Sequence, residues 1–200
     1  MTHILKYILA RHDRRKGKPR VAFLYNETEF GRSPIPAGRQ FAAANGIDIA
    51  AEEIVSLDAR EAKTQLERIR TAKADYAVIQ ETTWAASVIL NDAKRMNMAT
   101  EFFGLNWCSD EKLVALSGSA AEGFVGAMPF VFTDDSLPGI REITAYNRAA
   151  GINIEGYILR YVQGWATAKV MVEGIRRAGS DLSGPSIRRG LESISGFDTG

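Results

Sequence analysis

The chain has 200 residues, of which 46% are hydrophobic and 24% charged, the balance of a folded globular protein and not of a disordered or fibrous one. Its 25 lysines and arginines stand against 24 aspartates and glutamates, for a formal charge of +1, so there is no global field for a phosphate backbone and nucleic acid is not the expected main partner. No apolar run approaches the roughly 20 residues of a membrane span.

Residues 2 to 16 place Leu5, Ile8 and Leu9 on one helical face, and the basic turn before Pro19 ends that helix. Arg11, Arg14, Arg15 and Lys16 follow this apolar stretch instead of preceding it, which is not the pattern of a signal peptide. Arg20 to Tyr25 (RVAFLY) is a strand suited to burial on both faces of a parallel sheet. After the polar loop Asn26 to Ser33, residues 34 to 45 predict a helix with Phe41 and Ala44 inward and Asn45-Gly46 as its stop. Ile47 to Val55 is strand-like. Asp58 and Glu61 resemble a capping box ahead of Ala62, Leu66 and Ile69 at helical spacing. Tyr76 to Ile79 is again apolar, Thr82 or Thr83 caps the next helix, and Ala86, Ile89, Leu90 and Ala93 form its buried stripe. Glu101 to Gly104 is a short strand, Ser109 caps a brief helix with Leu113 and Leu116 inward, and Glu122 to Met128 is a strand ending at Pro129.

Strands and helices thus alternate through the first 130 residues or so, which predicts an α/β fold: an open, mostly parallel, doubly wound sheet. Residues 136 to 195 predict only helices, one around Ile140 and Ile143, a long one from about 155 to 178, and one from Pro185 to Ile194. The long helix aligns Ile158, Tyr161, Val162, Trp165, Ala168, Val172 and Ile175, an apolar face that needs a cover.

In open α/β sheets ligands bind at the carboxyl ends of strands. The loops there carry Glu27, Glu29 and Phe30, then Glu81, Thr82, Thr83 and Trp84, then Asn106 and Trp107. Threonines cap helices, glutamates favour helix starts and tryptophans fill cores, so each residue alone has an ordinary structural reading. Three loops that each set an aromatic beside a hydrogen-bonding group point instead to a small organic ligand.

The enzyme readings are weaker. The loop after the first strand, NETEFGRS, has one glycine and no G-x-G-x-x-G, and there is no Walker loop. His3 and His12 lie in the first helix, away from every strand end, and are expected to face solvent; no Ser-His-Asp or Cys-His arrangement can be drawn. Cys108, the one cysteine, allows no internal disulfide and reads as a half-buried, inert thiol. Glu27, Glu29 and Glu81 offer the one metal alternative, a Mg²⁺ site of hard oxygen ligands, against which surface glutamates are the better default. Neither catalysis, a cofactor nor a bound metal is expected.

Read in order, KPRVAFLYNETEFGRS, AKADYAVIQETTWAASVILNDAKRMNM, EFFGLNWCSDEKLVALSGSAAEGFVGAMPF and the last stretch from GYILRYVQGWATAKV to GFDTG resemble a type I periplasmic binding protein. The resemblance is to its Leu/Ile/Val-binding branch, the substrate-binding subunits of branched-chain amino acid ABC transporters. It implies two α/β lobes that close on a ligand like a hinged clamp. This chain resembles the second lobe over residues 1–129, a hinge crossing over 130–135, and over 136–200 helices belonging to the other lobe, whose sheet would precede Met1. It also implies a periplasmic location and a transporter permease as partner. A ligand-sensing regulatory domain of the same fold is the alternative, and an enzyme with an acidic Mg²⁺ site comes third.

Carried over by position, the resemblance places ligand contacts at Phe30, at Thr82 and Thr83, and at an acidic residue after the fourth strand; Glu81 and Trp84 join the expected contacts from the strand-end loop itself. Here that last position is Asn106, followed by Trp107. A neutral amide accepts a hydrogen bond from an ammonium without neutralising it, so aromatic acids and amides join amino acids as expected solutes. The uncovered long helix is expected to be an interaction surface, through self-association or within a longer chain.

Overall fold

The three central strands are short, apolar and covered on both faces, as a parallel sheet between helical layers requires. A computed structural model of the protein describes residues 1–130, 136–154 and 158–200, and the chain divides into two units, Met1–Pro129 and Phe130–Gly200. In the first, β1 (Arg20–Tyr25), β2 (Asp48–Ile54), β3 (Tyr76–Gln80), β4 (Glu101–Gly104) and β5 (Val125–Gly126) form one sheet. Its order is β2-β1-β3-β4-β5, with every neighbouring pair parallel. The helices are α1 (Thr2–Arg11), the single turn α2 (Glu29–Arg32), α3 (Ile35–Ala44), α4 (Lys63–Thr71), α5 (Thr83–Arg95) and α6 (Glu111–Ser117).

Side chains alternate across each strand and so feed two cores. Val21, Phe23 and Tyr25 join Val78 and Phe103 under Leu5 and Ile8 of α1 and Ile35 of α3. Ala22, Leu24, Ala77, Ile79 and Phe102 point the other way, onto Leu66 and Ile69 of α4 and the expected stripe Ala86, Ile89, Leu90 and Ala93 of α5. Each fully buried large side chain contributes roughly 1.5 to 3 kcal/mol, which is how strands of four to six residues hold together. The edge strand β2 is less buried and carries charge: Glu52 takes two hydrogen bonds from Arg39, at 2.7 and 2.6 Å, and one from the Tyr25 hydroxyl at 3.0 Å. Such charges keep an open sheet edge from pairing with another chain.

Several local expectations are corrected. Asp58 does not cap α4 but pairs with the Ser56 hydroxyl, and the amide of Ala62 at the helix start donates to Asp92 of α5 at 2.8 Å. The cap is thus a tertiary contact. Ser109 does not cap α6 either: its hydroxyl bonds Leu105, and Asp110 accepts from the Leu113 amide. Leu116 is exposed, as is Ala44, while Ala42 takes the inward position because Ile35, Gly38 and Ala42 share the buried face of α3. β5 has two residues, not seven, since Gly123 has φ +79°, a left-handed conformation that no strand continues through. His12 is buried, not solvent-facing. Its extended backbone ends α1 and turns the ring inward, where Nε2 donates to the Gly17 carbonyl and Nδ1 accepts from the Tyr76 hydroxyl, each at 3.1 Å.

The second unit contains α7 (Pro138–Ala150), α8 (Ile158–Ala178) and α9 (Gly184–Glu192) among the described residues. The expected crossing over 130–135 and the start of the long helix at 155–157 lie outside the described residues, apart from Phe130. Tyr161 donates to Asn147 of α7 at 2.7 Å, and Trp165 lies against Tyr146 with ring centroids 5.2 Å apart. Further along, α8 meets α9 through two glycines, Gly174 and Gly190, and Glu173 gathers Arg176 and Arg177, whose hydrogen bonds hold its carboxyl down at about 2. The expected stripe is therefore only half buried. α9 packs on the Gly174 side because two glycines let the backbones touch, and this leaves Ala168, Val172 and Ile175 exposed in the described unit.

Candidate functional site

From β1 the chain moves outward to β2 and then crosses back to β3, so the winding direction reverses between β1 and β3. In sheets of this order the crevice outside the carboxyl ends of those two strands is where ligands bind. Here β1 runs into Asn26 and β3 ends at Gln80 and Glu81. Asn26 is buried, and its amide nitrogen donates to Glu81 Oε2 at 3.0 Å. Its amide oxygen accepts from both the backbone and the hydroxyl of Thr28, and the Thr28 hydroxyl in turn accepts from the Gly31 amide, starting α2. Gln80 reaches across from β3 and donates to the Phe30 carbonyl at 2.9 Å.

An aromatic surface sits on this frame. Phe30 meets Trp107 edge to face, with centroids 5.8 Å apart and ring planes at 88°, a favoured geometry for two aromatics. The Thr83 hydroxyl donates to Asp110 at 2.8 Å and lies 3.3 Å from the Trp107 carbonyl, which ties the start of α5 to the short 3-10 helix Asn106–Cys108. Trp107 is 45% exposed and Trp84 51%. Trp84 turns toward the loop after β2, where its indole donates to the Ala59 carbonyl at 3.1 Å. Thr82 stands at the N-cap of α5 without a side-chain capping bond, and Asn106 is half-buried. The structure thus gathers Phe30, Thr83 and Trp107, and sets Trp84 apart.

Glu81 departs from the expectation of a contact residue. Its side chain is fully enclosed beneath the surface, and its Oε1 has no hydrogen-bond partner. Burial pushes its carboxyl up from the ordinary 4.5 to about 7, against the smaller opposing effect of the Asn26 bond. Between pH 4.5 and 7 the folded chain therefore keeps a proton that the unfolded chain releases, so stability falls as pH rises through this window and the penalty is complete above it. Glu81→Gln keeps an oxygen for Asn26 but cannot ionise. Relative to this variant, the parent chain is expected to lose on the order of 1 to 3 kcal/mol of stability between pH 4 and pH 8. Denaturant titrations at the two pH values measure it, and an unchanged difference between the proteins would show that Glu81 does not titrate in this window.

Cys108 is buried with its Sγ 3.3 Å from the Leu105 carbonyl, and burial pushes its thiol up to about 12. That is a protonated, unreactive thiol, more deeply buried than the sequence predicts. Glu27 and Glu29 are exposed, away in character from the enclosed Glu81, and among the described residues no three His, Cys, Asp or Glu side chains gather as a metal site. A cleft of about 310 Å³ lies at the other end of the sheet, between the end of α5 and the start of β4, lined by Leu90, Lys94, Met98, Thr100 and Phe102 among others. It shares no residue with the surface described above.

Sequence reasoning missed Asn26, Gln80 and Asp110. Gln80 carried a signal: it is a polar residue at the buried end of an apolar strand, where an amide needs a partner.

The periplasmic binding protein family model matches residues 1–200. No curated protein matches the chain in sequence. Among solved structures, a branched-chain amino acid ABC transporter protein from Thermus thermophilus with bound valine is 29% identical, with a TM-score of 0.88 over 100% of this chain and 53% of its own. A substrate-binding periplasmic protein from Ralstonia solanacearum shares the fold at 21% identity and a TM-score of 0.87, over 100% of this chain and 56% of its own. A fatty acid ABC transporter substrate-binding protein from Thermomonospora curvata does so at 18% identity and 0.82, over 98% and 51%. The chain spans about half the length of these proteins.

Proposed function

The chain belongs to the periplasmic binding protein family, and from that premise we propose that it is part of the solute receptor of an ABC importer. In this reading it binds a small organic solute, without catalysis, in the periplasm and delivers it to a membrane permease. Residues 1–129 form one ligand-binding lobe and residues 136–200 contribute helices to the other. The observation that carries the reading is the Phe30 and Trp107 pair, edge to face at the point where the sheet reverses its winding. A half-exposed indole fixed there suits the apolar body of a solute. Thr82, Thr83 and Asn106 supply polar groups around it, Trp84 extends the surface toward the loop after β2, and Glu81 supports it from beneath. One lobe of a clamp presents an open surface and not an enclosed cavity, which fits the exposure of both tryptophans. The bound valine of the Thermus relative makes an amino acid one candidate solute, and aromatic acids and amides are others.

Asn106 is the position that sorts these classes. It stands where amino-acid binders of the family place a carboxylate, and a carboxylate neutralises an ammonium where an amide does not. Asn106→Asp in the receptor is expected to tighten binding of solutes bearing an ammonium and weaken binding of those bearing only a carboxylate. Calorimetric titration with valine, phenylalanine and benzoate measures the shift; equal weakening of all three would mean that Asn106 serves packing alone.

The exposed Val172 and Ile175 of α8 are the surface through which this chain would self-associate. A monomer in sedimentation at low micromolar concentration removes that part of the proposal.

A further inference from the structure

The turn that carries Phe30 is held from three sides by groups that do not themselves face the aromatic surface. Gln80 is 5% exposed and spends an amide hydrogen on the Phe30 carbonyl at 2.9 Å, across from a neighbouring strand. The Thr28 hydroxyl receives the Gly31 amide, and Asn26 holds Thr28 twice through its own oxygen. Gly31 lies so close over Asn26 that a Cβ there would come within 2.2 Å of the Asn26 carbonyl and 2.6 Å of its side-chain oxygen. Backbone atoms cannot give way by rotating a side chain, so the turn has this one seat. The Phe30 carbonyl also accepts from the Ser33 hydroxyl at 3.1 Å, a bond within the turn that moves with it, whereas the Gln80 bond ties the same carbonyl to a neighbouring strand.

We propose that Gln80 is a positioning residue for the aromatic wall: by holding the Phe30 carbonyl it fixes the Phe30 ring edge-on to Trp107, with the Asn26 and Gly31 seat as its counterpart beneath. This rests on reading that surface as the solute site and deepens it. A ring pair fixed before the solute arrives loses little freedom on binding, which raises affinity for an apolar body that fits it. A carbonyl is an acceptor only, so position 80 needs a donor. Methionine keeps the length and burial of Gln80 but supplies none.

The test needs no solute. In the full chain with Trp84→Phe and Trp165→Phe, Trp107 is the one remaining indole of three, and its near-ultraviolet circular dichroism reports the neighbouring Phe30 ring. Phe30→Leu sets the signal without the ring. Gln80→Met is expected to lose more than half of the difference between the parent and Phe30→Leu, and to speed amide exchange in residues 28–32 about tenfold, with exchange in β3 and β4 unchanged. A residue that merely adds stability would change exchange throughout the sheet and leave the indole signal in place. Gln80→Glu, of the same shape but facing the carbonyl with a carboxylate at pH 8, is expected to give the same loss. Parental signal and parental exchange in Gln80→Met overturn the proposal. Should Gln80→Met not fold, Gly31→Ala decides from the other side: the displaced turn must lose the signal, and an unchanged signal overturns the proposal equally. Because no solute enters, a receptor that binds nothing at this surface leaves the result standing, and a failed clamp leaves the binding question to calorimetry.

Discussion

Replacing Trp107 by alanine is expected to weaken solute binding by about 1 to 3 kcal/mol, or roughly 5- to 150-fold, the scale of losing one large aromatic contact. In the proposed site the indole is positioned for this contact. Nearly half of it is exposed, so it contributes less to the core than a buried tryptophan, yet its ring is fixed by Phe30 and its backbone by the 3-10 helix that follows β4. Loss of folding should accordingly be small and loss of affinity large. Calorimetry and thermal unfolding of the same variant separate the two. An unchanged dissociation constant would remove Trp107 from the site, and a collapse of stability would make it a core residue.

The largest effect on stability is expected in the helical unit, from a single methyl group. A Cβ at Gly190 would come within 2.2 Å of the Gly174 carbonyl oxygen and 3.1 Å of the Ala178 nitrogen, all of it backbone of α8. Two helices must then move apart along their whole contact, including Leu191 over Gly174. Gly190→Ala is expected to destabilise the unit by about 3 kcal/mol, the upper part of the usual range for overpacking. The control is Gly164→Ala, also within a helix but with nothing within 4 Å of its would-be Cβ. There only the helix propensity changes, and a gain of about 0.5 to 1 kcal/mol is expected. The same substitution therefore has opposite signs at two sites, and unfolding titrations that gave both variants the same sign would contradict this packing.

Much of the fold was legible in the residues, and the pattern of what was not is physical. β1 and β4 begin and end where the sequence places them, because a run apolar on both faces has only one use in a parallel sheet. The stripe of α5 was legible for the same reason. The caps of α4 and α6 were not. Asp92 lies thirty residues from the amide it serves, and Asp110 competes with its neighbour Ser109, whose hydroxyl finds Leu105 instead. His12 looked solvent-facing because its burial depends on Tyr76, a residue of a later strand. At the candidate site, Phe30 and Trp107 could be picked out as aromatics at strand ends, but their meeting edge to face depends on Gln80 and Asn26, whose partners lie across the sheet. Glu81 was misplaced by one step of alternation: as the last residue before the α5 cap it points beneath the surface, not out of it.

Hydrogen exchange tests most directly whether the carboxyl ends of β1, β3 and β4 form a solute-contacting surface. The receptor is screened by thermal shift against amino acids, aromatic acids and amides, and exchange is then measured with and without the solute that raises its unfolding temperature most. Slower exchange at residues 28–33, 82–84 and 105–108 is the result expected. A screen in which no solute stabilises the receptor, or protection confined to the cleft between the end of α5 and the start of β4, would contradict it.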